Sequence, residues 1–257
     1  MPYADMPVPP PKADNDALPA SLGLLCAAQL PASIASDGDD WSPDRDLPAS
    51  LWELFGSHDD AAGDGMALAL AALRRPGGAC APWLWVQDAE SVRRSGRPYV
   101  HGLPAALRPG LLHVETRHGA DALWAMEEGV RCGALAFVIG EISGDPKALD
   151  FTASRRLVLA SERSGVPLTL LRRDGHPNLS AARLRWRVAP AASSLHGWDA
   201  RAPGQAQVAA ELFRGRGFRP GHFLFSHGCG GHEPGDRLAL AAPLRDRPVE
   251  PDRSLAR

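Results

Sequence analysis

Lysine is nearly absent from this chain: Lys12 and Lys147 are the only two in 257 residues. With Ala, Arg, Gly and Pro abundant, this is the skew a GC-rich genome imposes through codon choice, so richness in those four residues carries no functional weight. It still matters locally, because arginine forks onto carboxylates and stacks on rings where lysine does not. Net charge is missing too. A formal charge of -2 gives no field that would by itself draw in DNA or anionic lipid. The four cysteines (Cys26, Cys80, Cys132, Cys229) have no paired spacing. That argues against a zinc ribbon or a disulfide framework and fits reduced thiols in a cytosol. No apolar run approaches the roughly 20 residues that span a bilayer, and the opening MPYADMPVPPPKADNDALPA lacks the basic and apolar regions of a signal peptide. The chain reads as soluble and cytoplasmic, with no membrane partner.

What is present is enough for a core, since 44% of residues are hydrophobic. Residues 1–46, with Pro9, Pro10, Pro11 and the run Ser36 to Asp40, read as a flexible Pro-rich leader, with Ser21–Leu30 able to form a short helix. From Leu47 the pattern alternates. Strands are predicted at Leu51–Phe55, Pro82–Val86, Leu111–Val114, Leu135–Ile139, Pro167–Leu171 and Ala182–Val188. Helices are predicted at Met66–Arg75, Asp121–Arg131 and Thr152–Ser164, the last capped by Asp150 or Thr152 and stopped by Gly165. Such alternation implies βαβ crossovers and a mostly parallel sheet covered on both faces. The core therefore reads as residues 47–190. Residues 191–248 form a C-terminal extension, with short strands or a hairpin at Ala206–Phe213 and Gly221–Phe225 and a last apolar piece at Leu238–Leu244, and 249–257 are a polar tail.

The connection from the first strand to the first helix has the place of a phosphate-binding loop but not its chemistry. A working loop reads G-x-x-x-x-G-K-[ST]: backbone N–H groups approach the phosphates, Lys neutralises them and Ser/Thr holds Mg²⁺. Counted from Gly56, the second glycine is Ala61, the lysine Ala62 and the hydroxyl residue Gly63. With Gly63 as the second glycine, the lysine becomes Asp64 and the hydroxyl residue Gly65. Neither register supplies a cation, and Asp59, Asp60 and Asp64 would repel a triphosphate. No Ser-His-Asp or Cys-His constellation can be assembled, and no catalytic, cofactor or metal residue is assigned.

Other features carry two readings each. Arg183, Arg185 and Arg187 alternate along a strand, with Arg172 and Arg173 nearby in sequence. They form either a basic stripe for a phosphate backbone or acidic partner, or a solvated strand face. His227, Cys229 and His232, with His222 upstream, carry ligand-type side chains at a spacing no established zinc module uses, in a glycine-rich turn. Trp124 lies one step off the Leu123/Met126/Val130 stripe, placed for core packing or for a partner. Asp88 and Glu90, one residue apart, would face the same side of a strand.

The order of these motifs resembles the RecA core: strand, phosphate loop, helix, a strand ending in Asp88-Ala89-Glu90, a helix, a buried strand followed by an acid, a helix and a strand. The resemblance implies a water-orienting acid at Glu90, a base-stacking ring at Tyr99, and an acid at Glu141, one residue late because Gly140 holds the usual place. The connection Arg172 to Ser180 is too short for the glycine-rich loop with which RecA grips single-stranded DNA. A closer similarity is to the ImuA family, the RecA-like subunit of a damage-inducible mutagenesis cassette. It rests on ALWAMEEGVRCGALAFVIGEI (Ala122–Ile142), LDFTASRRLVLASERSGVPLTLLR (Leu149–Arg172), SAARLRWRVAPA (Ser180–Ala191), RGRGFRPGHFLF (Arg214–Phe225) and LAAPLRDRP (Leu240–Pro248).

That resemblance implies a non-catalytic accessory role in error-prone translesion synthesis. Its partners would be an inactive Y-family polymerase relative (ImuB-type), a DnaE-type polymerase reached directly or through that relative, and RecA as a further candidate. A SulA-type division inhibitor acting on FtsZ is the alternative from another class. A surviving ATPase using Tyr99 and Glu90 is a third. Partner attachment is expected on the extension, with Phe213 and Phe218 outward among Arg214, Arg216 and Arg219 and with Phe223 and Phe225 inward; the other reading is that all four close a small satellite core under the extension. A chain ending near Ala191 would then keep its core and lose the partner.

Overall fold

Nine strands hydrogen-bond into one sheet, in the order β3-β2-β4-β5-β1-β6-β7-β8-β9. The structure, a computed structural model, describes residues 39–43, 45–74, 81–196, 198–199, 201–228 and 237–244. The chain divides into two units at Asp37 and Gly38, and every described residue belongs to the second. The strands are β1 (Leu51–Gly56), β2 (Trp83–Asp88), β3 (Leu111–Thr116), β4 (Val138–Ser143), β5 (Leu168–Arg173), β6 (Leu184–Ala191), β7 (Gln207–Gly215), β8 (Gly221–Gly228) and β9 (Arg237–Leu244). Helices are α1 (Ala62–Leu73), α2 (Ala89–Ser95), α3 (Gly119–Arg131) and α4 (Phe151–Ser164). Strands β1 to β6 are all parallel, and β7 to β9 continue the sheet antiparallel. Strand β1 is the middle of the nine.

Two-sided burial explains the apolar runs. One face of the sheet carries Trp52, Leu54, Trp85, Ile139, Leu171 and Trp186 beneath Met66, Ala67 and Leu70 of α1. The opposite face carries Leu51, Leu84, Val86, Leu168 and Leu170 against Met126 and Val130 of α3 and Leu157 and Val158 of α4. This is a mixed α/β fold with a central sheet flanked by helices, the coarse class expected from the alternation. Local signals act as read at α4: Asp150 accepts from the Ala153 amide at 2.7 Å, and Gly165 ends the helix with φ +77°. Gly140, where the acid of a RecA-like strand was sought, is a packing glycine. A Cβ there would sit 2.0 Å from the Met126 sulfur.

Three boundaries differ from expectation. β4 begins at Val138 rather than Leu135, which puts Glu141 inside the strand. α1 begins at Ala62, four residues ahead of Met66. Packing also starts before Leu47: Trp41 is 3% exposed and meets Trp186 edge-on at 4.8 Å, with Phe223 and Phe225 beside it. A proline- and aspartate-rich flank hides the indole from composition-based reading, but one large ring buried in an aromatic cluster outweighs its neighbours. Within the described residues no helix is long and apolar enough to cross a membrane.

The C-terminal strands are not an appendage. Leu212, Phe223 and Phe225 are buried in the same cluster as Trp186 and Trp41. Each contributes about 1.5–3 kcal/mol on burial, against a total domain stability of about 5–15 kcal/mol. A chain ending at Ala191 therefore should not keep a folded core, contrary to the sequence-based expectation. Its tryptophan fluorescence should show no cooperative urea transition, and a transition near the full-length midpoint would contradict this packing.

Candidate functional site

At the C-terminal end of β1 the chain leaves the sheet at Gly56 and turns through Ser57, His58, Asp59, Asp60 and Ala61 into α1. Several loop amides are satisfied from within. Asp60 Oδ1 accepts from Ala62 N at 2.8 Å, Ser57 Oγ from Asp59 N at 3.0 Å, and Asp174 Oδ1 from His58 N at 3.3 Å. The carbonyls of Ser57 and Asp60 turn the other way and accept from Nη1 of Arg173, the Asp60 contact at 3.0 Å. A phosphate loop offers N–H groups to an anion. This loop offers oxygens to a cation, so its polarity is reversed.

Arg173 ends β5, is 1% exposed, and is paired in register with Gly56 on one side and Ser143 on the other. Its Nε donates to Glu141 Oε1 at 3.0 Å, and Nη2 donates to Asp64 in the first turn of α1. Glu141, also 1% exposed, accepts from Gln87 Nε2 at 2.8 Å and from the Trp85 indole at 3.3 Å. Gln87 Oε1 in turn meets His113 Nε2 at 2.8 Å. A polar ladder thus crosses four neighbouring strands, β3-β2-β4-β5, and ends on α1. Two carboxylates share one guanidinium, leaving a surplus of negative charge in a dry site. Burial accordingly pushes the Asp64 and Glu141 carboxyls up, against the pull of Arg173. Burial works to lower the Arg173 pKa, but Asp64 and Glu141 outweigh it and hold it above the ordinary value.

His58 closes the rim. Its Nδ1 meets Ser95 Oγ at 2.7 Å and its Nε2 meets Ser143 Oγ at 2.9 Å, tying the loop to the ends of α2 and β4. Burial first, then the nearby Arg94 guanidinium, lowers its pKa below 6.5, so the ring is held neutral. Asp174, in the left-handed region with φ +51°, anchors the same rim. Its amide donates to the Gly56 carbonyl at 2.9 Å, and its carboxylate pairs with Arg94 at 2.9 Å.

The residues singled out in the sequence are scattered by the fold. Asp88 and Glu90 do not share a strand face, because α2 begins at Ala89. Asp88 caps that helix through the Ser91 amide at 2.8 Å and accepts from Ser143 N at 3.2 Å, while Glu90 pairs with Arg93 on the exposed side. Tyr99 is 71% exposed with His101 as its aromatic neighbour. Trp124 is 64% exposed and does not pack in the core. The basic stripe does not exist. Arg172 and Arg185 are buried, paired with Asp145 and Glu53 respectively, and Arg183 and Arg187 pair with Glu162 and Glu211. The solvated-face reading holds for Arg187, which is exposed, but not for Arg185, whose Nε donates to Glu53, fully buried in the middle of β1 and accepting also from Ser180 Oγ, at 2.7 Å each. Phe213 packs on Phe55 at 5.7 Å beneath the Arg185 and Arg187 guanidiniums, and Phe218 lies under Arg45. Both are half-buried rather than outward. The His227/Cys229/His232 side chains lie outside the described residues. Among the described ones no group of three His, Cys, Asp or Glu is arranged to hold a metal ion.

Arg173 is the residue sequence reasoning missed. Its signal was present: two consecutive arginines closing an apolar strand must point to opposite faces, and a loop with three aspartates calls for a cation. At this loop the carbonyls of Ser57 and Asp60 and the carboxylates of Asp64 and Glu141 face the resident Arg173 guanidinium, an arrangement unlike the N–H cradle of a phosphate-binding loop.

Breaking this pair from one side leaves Glu141 buried without its cation, so Arg173→Met should cost about 3–5 kcal/mol in urea unfolding. Adding Glu141→Gln should recover part of that loss, and equal stability of the single variant and the parent would contradict the cage. For His58 a folded value below 6.5 means its contribution is present above pH 6.5 and lost as pH falls through the folded value. Its ring resonances should titrate below 6.5, and Arg94→Ala should move the midpoint up; a midpoint at or above 6.5 would contradict the geometry. No protein-family model matches this chain and no curated protein matches it, so the reading of the site rests on its geometry.

Proposed function

We propose that this protein is a non-catalytic adaptor on a RecA-like scaffold, acting through protein–protein contacts in damage-induced, error-prone translesion synthesis. The observation that carries the first half is the Arg173 cage: Ser57 and Asp60 carbonyls, Asp64 and Glu141 all spend their acceptors on a guanidinium from the protein's own β5. The Arg173 cation at this loop is already taken up by these four acceptors, and transition-state stabilisation of phosphoryl transfer depends on a cation free to meet the phosphates. The RecA-like part is supported by the strand–loop–helix at β1, which lies between the parallel strands β5 and β6. Glu141 fits it too, lying on the sheet face toward that loop in β4, the strand paired with the β2 that ends at Asp88.

The cellular half is supported by the resemblance of Ala122–Ile142, Leu149–Arg172 and Ser180–Ala191 to the ImuA family. On this reading the direct partner is an ImuB-type polymerase relative, with a DnaE-type polymerase joined through it and RecA as a further contact. Coexpression with the ImuB-type protein of the same cell should give a complex that survives gel filtration equally with and without ATP. Two separate peaks, or a complex that needs ATP, would sink the proposal.

A further inference from the structure

An open groove of about 560 Å³ lies between α4 and the adjoining ends of β6 and β7. Its walls combine two chemistries. From α4 come Phe151, Arg155 and Leu159, spaced four residues apart and so on one helix face; from the sheet side come Arg183, Arg214 and Arg216. Phe151 and Leu159 are 41% and 40% exposed, and Leu179, next in chain to the lining residue Ser180, is 66% exposed.

The charges on this groove are unbalanced. Strands β6 and β7 and helix α4 carry two acids, Glu162 and Glu211, and both are engaged, by Arg183 at 2.6 Å and Arg187 at 2.8 Å. The Asp150 carboxylate beside Phe151 is held by the Ala153 amide. Among the described residues, the exposed guanidiniums of Arg155, Arg214 and Arg216 meet no carboxylate. Every buried arginine of β5 and β6 has its acid, whereas these three exposed ones gather along one groove without one.

We infer that this groove docks an acidic peptide segment of a partner protein, its carboxylates on Arg155, Arg214 and Arg216 and a large apolar side chain against Phe151 and Leu159. Arginine forks suit carboxylates, and the exposed apolar pair gains by covering with another apolar group. A nucleic-acid strand would use the cations alone. Successive bases need aromatic platforms, and Phe151 is the single aromatic residue lining the groove. The inference deepens the adaptor reading and rests on it for the identity of the partner, not for the chemistry of the groove.

The test is a random 12-residue peptide library displayed on phage, panned on the full chain and counter-selected on the Arg155→Glu/Arg214→Glu/Arg216→Glu variant. Enriched peptides should combine Asp or Glu with Leu, Phe or Trp. As synthetic peptides they should bind the parent at least about tenfold more tightly than the triple variant, weaken with added salt, and weaken again on Leu159→Ser. All these side chains are exposed, so thermal melting should be unchanged; if the triple variant melts early, the three single Arg→Ala variants make the same comparison. No enrichment, enrichment without acids, or equal binding to parent and variant would overturn the inference. So would tight binding of a dT20 oligonucleotide that is lost in the triple variant while no peptide is enriched. A positive selection alongside failed copurification with the polymerase relative would uphold the groove and reject only the partner named above.

Discussion

The guanidinium of Arg173 is the contact on which the central region depends. From the end of β5 it reaches the loop after β1, the first turn of α1 and the middle of β4. Strands β4 and β5 are far from the loop in sequence, and the rim contacts of His58 and Asp174 are the other ties that hold it at that level of the sheet. A single planar fork with several donors does what a bound phosphate does in a loop of the opposite polarity: it gathers backbone groups from several elements around one charge. The surplus carboxylate is tolerated because Gln87 and Trp85 also donate to Glu141, which spreads its charge over neutral donors.

The two faces of the sheet are built alike in this respect. On the α1 face the buried charges are Arg173, Glu141 and Asp64. On the α4 face they are Arg185 with Glu53, and Arg172 with Asp145, flanked by the Phe55–Phe213 pair. Alternation along β5 sends Arg172 and Arg173 to opposite sides, each to its own acid. The three buried arginines of β5 and β6 are therefore internal structure, each with its own acid.

Much of the fold was legible from the residues. The apolar runs at Leu51, Trp83, Val138 and Leu168 are buried on both faces, where side-chain chemistry and strand propensity agree. Helix α2 was missed because AESVRRS has one buried residue, Ser91, and no apolar stripe; its start is set by the Asp88 cap, a tertiary-scale detail of one carboxylate. The extension was misjudged as separable because Trp186 lies in one segment and its cover, Phe223 and Phe225, in another. At the site, the absence of a lysine from the loop was visible, but the cation that meets its oxygens was not. Arg173 is about 110 residues away in sequence, and only strand order brings it to Gly56.

A closed loop after β1 is what separates a non-catalytic scaffold from a nucleotide-binding one. Isothermal titration of the full chain with Mg·ATP tests it most directly. With Arg173 held by Asp64, Glu141 and two carbonyls, no saturable heat should be seen up to millimolar nucleotide. Binding in the micromolar range, an advantage of about 4 kcal/mol or more over a millimolar encounter, would mean that the cage opens and the site still holds a triphosphate.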